Sequence, residues 1–342
     1  MRPTLHLDFS HPADLARAAS LLRDGGLVAF ATETVYGLGA NALSVEAVSG
    51  IFTAKQRPSW DPLIVHLASV EQLSHVAEVP ANLTERVIAL ADAFWPGPLT
   101  LLLPRNSAVP DAVTAGRELV GVRVPAHPAA RALLAAAGVP VAAPSANLFG
   151  HTSPTTAAHV LADLDGRIDA VLDAGPTSIG VESTVLDPTQ TPMVLYRPGA
   201  VTVEQLTAVT GVAVEVFLPT TEAQPASMPS PGVGIRHYAP RARMVLAEGS
   251  PLALQAALAD AEAAGLGGKI GLLLPEGWTV DTDAVIESWA RWDDPEALAA
   301  RLFAGLRALD DSGVSVILCP LPEAGGIRDA IRDRLQKAAR PA

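Results

Sequence analysis

The chain has 342 residues, of which 49% are hydrophobic and 18% charged, so it can hold two domains and is too apolar to be disordered. Its net charge is −12 and neither half is basic, with 12 basic against 19 acidic residues up to position 205 and 12 against 17 after it, which excludes a large nucleic-acid surface. The single cysteine, Cys319, excludes an internal disulfide and a cysteine-rich zinc site, and the lack of any apolar signal or membrane segment leads us to expect a soluble, cytoplasmic protein.

Short apolar runs and helical repeats alternate irregularly over the first two hundred residues. Pro12–Arg23, for example, places Leu15, Ala18, Ala19 and Leu22 on one helical face. The unequal spacing predicts an open, twisted, mixed α/β sheet rather than a regular βαβ repeat. The predicted helices are Pro12–Arg23, Val45–Phe52, Ala81–Phe94, Pro128–Ala137 and one from Thr156, and the predicted strands are 27–31, 63–67, 99–103, 121–124, 139–142, 170–173 and 183–187.

A second pattern follows a segment rich in Pro, Ser, Thr and Ala. We assign residues 10–205 to a catalytic domain, 206–241 to a linker or lid with its least periodic part at 217–234, and 242–342 to a small domain. The small domain has the alternation of a Rossmann-like α/β fold, without a glycine fingerprint for phosphate. Its predicted strands are 243–247, 269–274, 284–288 and 314–319, and its predicted helices are 251–264, 295–308 and 326–338.

Two loops rich in small and hydroxyl-bearing residues directly follow buried strands. They are residues 31–42, which begin Ala-Thr-Glu-Thr-Val-Tyr-Gly, and residues 143–147, which read Ala-Pro-Ser-Ala-Asn. Ligands in open α/β sheets bind where strands end in such loops. Gly37-Leu38-Gly39-Ala40-Asn41-Ala42 also fits a dinucleotide fingerprint, but no acidic residue follows at the required distance. The glycines alone could serve close backbone packing, which would not explain the crowded Thr and Glu residues.

Four charged or titratable positions have both a structural and a functional interpretation. Lys55 and Arg57 suit a polyphosphate, although a solvated charge pair is the usual explanation of two such cations. His66 in a buried strand is either a hydrogen-bonded core residue or a ligand-binding one. Arg123 lies in an apolar strand and must bind either an internal carboxylate or an anionic ligand.

Three further positions are also open. Ser183 and Thr184 begin a strand and could be edge hydroxyls or ligands, and Arg197 precedes Pro-Gly and could be surface charge at a turn. The sequence contains no G-x-S-x-G, H-E-x-x-H, C-x-x-C or P-loop motif, so a hydrolase, zinc or P-loop mechanism has no support.

In their order along the chain, these motifs resemble the YrdC-like family of threonylcarbamoyl-AMP synthases. The resemblance covers residues 10–205, and the linker motif Arg236-His237-Tyr238-Ala239-Pro240 with the small domain resembles the two-domain members. The motifs that carry it are Thr32–Gly39, Lys55-x-Arg57-Pro58, Pro62–His66, Trp95–Thr100, Arg123-x-Pro125, Pro144–Asn147, Ser153–Thr155, Glu182–Thr184 and Arg197–Gly199.

The resemblance implies a nucleotidyltransferase that makes L-threonylcarbamoyl-AMP from L-threonine, bicarbonate or CO2, and ATP, with release of pyrophosphate. Partner proteins would then transfer the threonylcarbamoyl group to an adenosine of tRNA. Mg2+ is expected to accompany ATP, with phosphate and water as its main ligands and no protein metal site. The rival interpretations are an RNA-binding module and another carbamoyl- or adenylyl-transfer enzyme.

The resemblance also implies roles for individual residues. Lys55 and Arg57 would be the catalytic cations. Tyr238 would close over the nucleotide, whereas Asp61 stands where members often carry asparagine and is assigned to ATP only on that likeness. The implied threonine-binding residues are Thr34, His66, Arg123 and Ser183, and the implied ATP-binding residues are Lys55, Arg57, Asp61, Ser145, Asn147, Ser153, Arg197 and Tyr238.

Overall fold

A computed structural model describes residues 3–218, 228, 230, 237–265 and 268–340. The chain divides into two compact units. The first contains the described residues up to Phe149, then Pro154–Ser178 and those from Glu182 to Ser230, and the second contains Gly150–Ser153, Ile179–Val181 and the described residues from His237 onward. Among the described helices, none is long and apolar enough to cross a membrane.

The first unit is a mixed α/β structure built on one sheet. In the described residues this sheet has eleven strands in the order β1-β8-β2-β3-β7-β4-β6-β5-β9-β10-β11, with parallel and antiparallel pairs mixed as the irregular spacing predicted. The strands are β1 Leu5–Asp8, β2 Val28–Ala31, β3 Tyr36–Asn41, β4 Ile64–His66, β5 Leu99–Pro104, β6 Leu119–Arg123, β7 Val141–Ala142, β8 Ala170–Asp173, β9 Thr184–Asp187, β10 Met193–Arg197 and β11 Val214–Val216.

Helices cover both faces of this sheet, because its central strands are apolar on both sides. In β2, Ala29 and Ala31 join one buried cluster, whereas Val28 and Phe30 join the other. The helices are α1 Pro12–Arg23, α2 Val45–Lys55, α3 Thr84–Phe94, α4 Asp111–Thr114, α5 Pro128–Ala137, α6 Ala157–Leu164 and α7 Val203–Thr210, with 3-10 turns at Val70–His75 and Ala81–Leu83.

Regular structure in the first unit continues past the boundary placed at residue 205. A capping box formed by Thr202 and Gln205 begins α7, and β11 then pairs in parallel with β10. Residues 206–216 therefore belong to the first unit and not to a linker. The rest of the predicted linker core, residues 219–227, 229 and 231–236, lies outside the described residues.

The second unit has the predicted Rossmann-like alternation. Its four described strands are all parallel, in the order β12-β15-β13-β14. Ser250 and Asp294 cap the first two helices, and Leu254 and Leu258 pack the first of them onto the sheet. The elements are β12 Arg243–Glu248, α8 Pro251–Ala263, β13 Ile270–Glu276, β14 Val285–Arg291, α9 Pro295–Asp311, β15 Val316–Leu321 and α10 Arg328–Ala338.

Candidate active site

Lys55 and Arg57 are both buried at the carboxyl end of α2. Gln56 ends the helix with a left-handed backbone at φ 53°, and the Arg57 amide donates to the carbonyl of Phe52 at 2.9 Å. Neither cation extends into solvent, since Lys55 is 1% exposed and Arg57 is 7% exposed. The interpretation of these residues as a solvated charge pair is therefore wrong.

The Lys55 ammonium is held by the second hydroxyl-rich loop. Its Nζ donates to the carbonyl of Ser145 at 2.5 Å and also to the carbonyl of Asn147. Burial, together with the neighbouring charge of Arg57, lowers the pKa of Lys55 well below its ordinary value, although Asp61 and Asp163 oppose the shift. Ser145 and Asn147 thus lie beside the lysine that the resemblance groups with them.

Arg57 forms a buried ion pair with Asp61. Its Nη2 lies 2.9 Å from Asp61 Oδ2, and its Nε and Nη2 donate to the carbonyls of Asp61 and Pro62 at 3.2 and 2.8 Å. Burial raises the pKa of Asp61, and the charges of Arg57, Lys55 and Arg197 act against that shift. Arg197 is therefore a third cation whose charge acts on Asp61.

Arg197 lies at the end of β10 and is buried, so its interpretation as surface charge at a turn is wrong. Its Nε donates to the carbonyl of Ser183 at 2.9 Å, and its Nη2 donates to Ser183 Oγ at 3.1 Å. Ser183 Oγ is also 2.8 Å from the hydroxyl of Thr100 on β5. Ser183, assigned to threonine, and Arg197, assigned to ATP, are therefore in direct contact.

Arg123 lies at the end of β6, next to His66 at the end of β4 in the parallel register. Its Nη1 donates to Thr34 Oγ1 at 2.9 Å, its Nε donates to the carbonyl of Gly97 at 3.0 Å, and its Nη2 lies 2.5 Å from Glu33 Oε1. The sequence left open whether Arg123 meets a carboxylate or a ligand. Glu33 is that carboxylate.

His66 is neutral in this setting. Burial, with a contribution from the Arg123 charge, lowers its pKa to about 3, while its ring packs edge-on against Phe30. Burial would raise the pKa of Glu33, but the charge and hydrogen bond of Arg123 outweigh burial and hold that pKa below its ordinary value. The cluster of Glu33, Thr34, His66 and Arg123 therefore combines one cation, one anion and two neutral polar groups.

The first hydroxyl-rich stretch is only partly a loop. Its residues from Tyr36 onward form β3, which pairs with β2 in a hairpin, so the turn itself is Thr32–Val35. Thr32 Oγ1 organises this turn, since it contacts Thr34 Oγ1 at 2.8 Å and donates to the carbonyl of Val35 at 2.6 Å. The strand assignment corrects the expectation of a loop over residues 31–42.

The two motif stretches are hydrogen-bonded to each other. The Ala146 amide donates to the carbonyl of Tyr36, the Leu38 amide donates to that of Pro144, both at 2.8 Å, and Gly37 forms a bridge with Ser145. The loop that holds Lys55 is therefore fixed directly against the strand that follows Thr34.

Two predicted ATP residues belong to the second unit. Ser153 is fully buried there, and Tyr238 is 2% exposed, with its ring stacked 5.8 Å from that of Phe303 and 5.1 Å from the Arg334 guanidinium. The roles assigned to these residues remain predictions.

Glu33 is a site residue whose role the sequence did not indicate. It was visible in the crowded Thr-Glu-Thr run, and an arginine inside an apolar strand demands a partner. Only the fold shows that Glu33 and Arg123 form an ion pair, because they lie far apart in the chain.

Comparison with known proteins assigns this chain to a family. A family model for Sua5, YciO and YrdC proteins, described as telomere recombination, matches residues 20–199, and a model described as the threonylcarbamoyl-AMP synthase C-terminal domain matches residues 201–340. The threonylcarbamoyl-AMP synthase of Bacillus subtilis strain 168 is 44% identical over 328 residues, covering 95% of this chain and 92% of that protein. The chain belongs to the threonylcarbamoyl-AMP synthase family.

Further relatives of this synthase family extend the agreement over both units. The Pyrococcus abyssi threonylcarbamoyl-AMP synthase is 43% identical over 325 residues, covering 94% of this chain and 93% of that protein. A crystal structure of P. abyssi Sua5 complexed with L-threonine is 41% identical with a TM-score of 0.88, covering 98% of this chain and 97% of that one. The predicted family, fold class and enzyme assignment are thereby confirmed.

Proposed function

We propose that this enzyme makes L-threonylcarbamoyl-AMP from L-threonine, bicarbonate or CO2, and ATP, releasing pyrophosphate. The observation that carries the proposal is the presence in the first unit of two differently charged clusters, which backbone hydrogen bonds between residues 144–146 and β3 link. One cluster gathers Lys55, Arg57 and Arg197, and the other places Arg123 beside Thr34 and a neutral His66. Relatives that cover nearly the whole chain, one of them solved with L-threonine, support this assignment.

The chemistry requires positioning and charge neutralisation more than proton transfer. The threonine amine adds to CO2 and loses a proton to water, and an oxygen of the resulting carbamate attacks the α-phosphate of ATP as pyrophosphate leaves. Buried cations next to the phosphates stabilise the charge that shifts onto the leaving group, and a fixed geometry lowers the entropic cost. Lys55 and Arg57 therefore act as electrostatic catalysts, and Arg123 and Ser183 hold the amino acid.

Mg2+ enters the proposal together with ATP. When bound, the ion would neutralise phosphate charge and orient the leaving pyrophosphate. Asp61, the carboxylate beside the proposed phosphate site, is already paired with Arg57, so phosphate oxygens and water are the ligands we expect. Bicarbonate as the carbon source, and downstream proteins that pass the threonylcarbamoyl group to tRNA, complete the proposal.

The direct test is pyrophosphate release. Purified enzyme with ATP, Mg2+, bicarbonate and L-threonine should release pyrophosphate in a threonine-dependent manner, and mass spectrometry should detect threonylcarbamoyl-AMP. Lys55→Ala should reduce the rate at least a hundredfold, because a buried cation next to the phosphates is worth about 3 kcal/mol of transition-state stabilisation. Threonine-independent ATP turnover, or RNA binding with no pyrophosphate, would contradict the proposal.

A further inference from the structure

Asp61 is a carboxylate buried among the cations of the proposed ATP site. It is 2% exposed, and its Oδ2 lies 2.9 Å from Nη2 of Arg57. The charges of Arg57, Lys55 and Arg197 all act to lower the pKa of Asp61, against the effect of burial. Any phosphate that these three cations bind therefore comes to lie in the field of a negative charge.

The negative charge of Asp61 is separable from the contacts that hold Arg57. The backbone carbonyls of Asp61 and Pro62 accept from Arg57 Nε at 3.2 Å and from its Nη2 at 2.8 Å, and the guanidinium lies 5.8 Å from the ring centre of Phe149. An asparagine at position 61 would keep both carbonyl contacts, the size of the side chain and one acceptor oxygen. We therefore expect a variant that lacks the charge to keep Arg57 in place.

A second carboxylate acts on the same cations. Asp163, on α6, acts together with Asp61 to raise the pKa of Lys55, although burial and the charge of Arg57 outweigh both. Two carboxylates therefore offset part of the positive charge that Lys55, Arg57 and Arg197 provide. Their repulsion of a bound nucleotide grows with its negative charge, which is about four units for free ATP at neutral pH and about two for its magnesium complex.

We propose that Asp61 makes this site selective for the magnesium complex of ATP over the metal-free nucleotide. The carboxylate acts through its charge and needs no contact with the ion, because Arg57 is already paired with its Oδ2. The inference rests on the proposed function and deepens it, since it defines which form of ATP the site accepts. Without Mg2+, the cations would have to balance both Asp61 and the full charge of the triphosphate.

The test measures ATP affinity with and without the ion. Calorimetry at about pH 7 and constant ionic strength should compare ATP in excess Mg2+ with ATP in EDTA. The wild-type enzyme should bind the magnesium complex at least about tenfold more tightly. Asp61→Asn should reduce that preference at least about fivefold, chiefly through tighter binding of metal-free ATP, whereas Asp61→Glu, which keeps the charge, should retain it. The ratio of the two affinities is the readout, because a change in the protonation of Lys55 alters the binding of both forms in the same direction.

Asp187→Asn is the matched control. Asp187 is also a buried carboxylate of the first unit, but it accepts from the Thr189 amide at 2.9 Å and from Gln190 Nε2 at 2.7 Å instead of pairing with a buried cation. Its loss should lower thermal stability and leave the ratio of the two affinities intact.

Three outcomes would overturn the inference. The first is equal affinity of the wild-type enzyme for the two forms of ATP, and the second is an unchanged ratio in Asp61→Asn. The third is an equal loss of affinity for both forms in Asp61→Asn, which would show that the carboxylate serves only to hold Arg57. Failure of the proposed function is distinguishable, because the wild-type enzyme would then bind neither form.

Discussion

The fold buries Lys55 next to a second cation, Arg57. This position lowers the pH at which the lysine loses its proton. Burial and the charge of Arg57 favour the neutral amine, so the pKa of Lys55 lies well below that of an exposed lysine. A polyphosphate binds the protonated form better than the neutral one. ATP affinity should therefore fall as the pH rises through the lowered pKa.

The expected loss is at most about tenfold in ATP affinity per pH unit above that pKa, because a single proton is involved. Calorimetry between about pH 7 and pH 9.5 would measure this loss of ATP affinity. An ordinary lysine, with a pKa of about 10.4, stays protonated over that range. Lys55→Arg should remove the slope, since arginine stays charged throughout. Lys269→Arg, at an exposed lysine of the second unit, should keep it. Identical profiles in the wild type and Lys55→Arg would refute the assignment.

At the same scale, the sequence could indicate which residues carry charge into apolar surroundings but not how they pair. Arg123 in an apolar strand required a partner, yet nothing local identified Glu33. Arg197 before Pro-Gly resembled a surface residue, because its burial depends on β9 and β10 pairing. Pairings of this kind are long-range and become visible only in the folded chain.

The hairpin of β2 and β3 is the element that carries Thr34 to Arg123, and its glycines permit it. Gly39 on β3 has no room for a side chain: an ideal Cβ there would lie 2.9 Å from ring and methyl atoms of Phe30 and Val141. The strand can therefore pack closely only as long as position 39 remains glycine.

Gly39→Ala should destabilise this hairpin by about 1–3 kcal/mol, the usual cost of an added methyl group in a tightly packed core. Hydrogen exchange of peptides covering β2 and β3 would measure the loss locally, which suits a two-unit chain better than one global transition. Gly50→Ala is the control, because helical propensity in α2 favours alanine by about 1 kcal/mol. The nearest atom to a Cβ added at Gly50 belongs to the Leu27 side chain, at 3.3 Å. Unchanged exchange in Gly39→Ala would contradict the packing argument.

The elements that the sequence predicted well have strong local signals. Pro12–Arg23 and Pro128–Ala137 were bounded correctly because proline begins each helix and Asp24 or Gly138 follows it. The prediction of a loop over β3 was wrong because β3 is rich in glycine, a residue that is generally depleted in strands. Its identity depends on cross-strand packing against β2 and β7, which local composition does not report.

At the scale of the whole molecule, the predicted ATP residues are divided between two compact units, with Tyr238 in the second. Tyr238 adopts a left-handed backbone at φ 64°, uncommon for a tyrosine, while its ring stacks on Phe303. The family resemblance implies that Tyr238 contacts the nucleotide, so Tyr238→Ala should weaken ATP binding about tenfold, since stacking of a base on an aromatic side chain is worth about 1–3 kcal/mol. L-threonine affinity should not change.

Tyr238→Ala also removes a buried ring from the second unit, and lost packing is a second route to weaker ATP binding. Phe303→Leu separates the two causes, because it takes away the stacking partner of Tyr238 and leaves the tyrosine itself in place. Both variants should lower the thermal stability of the second unit, whereas only Tyr238→Ala should weaken ATP binding tenfold in calorimetry. Equal ATP affinity in the two variants would remove Tyr238 from the nucleotide site and leave it as a packing residue of the second unit.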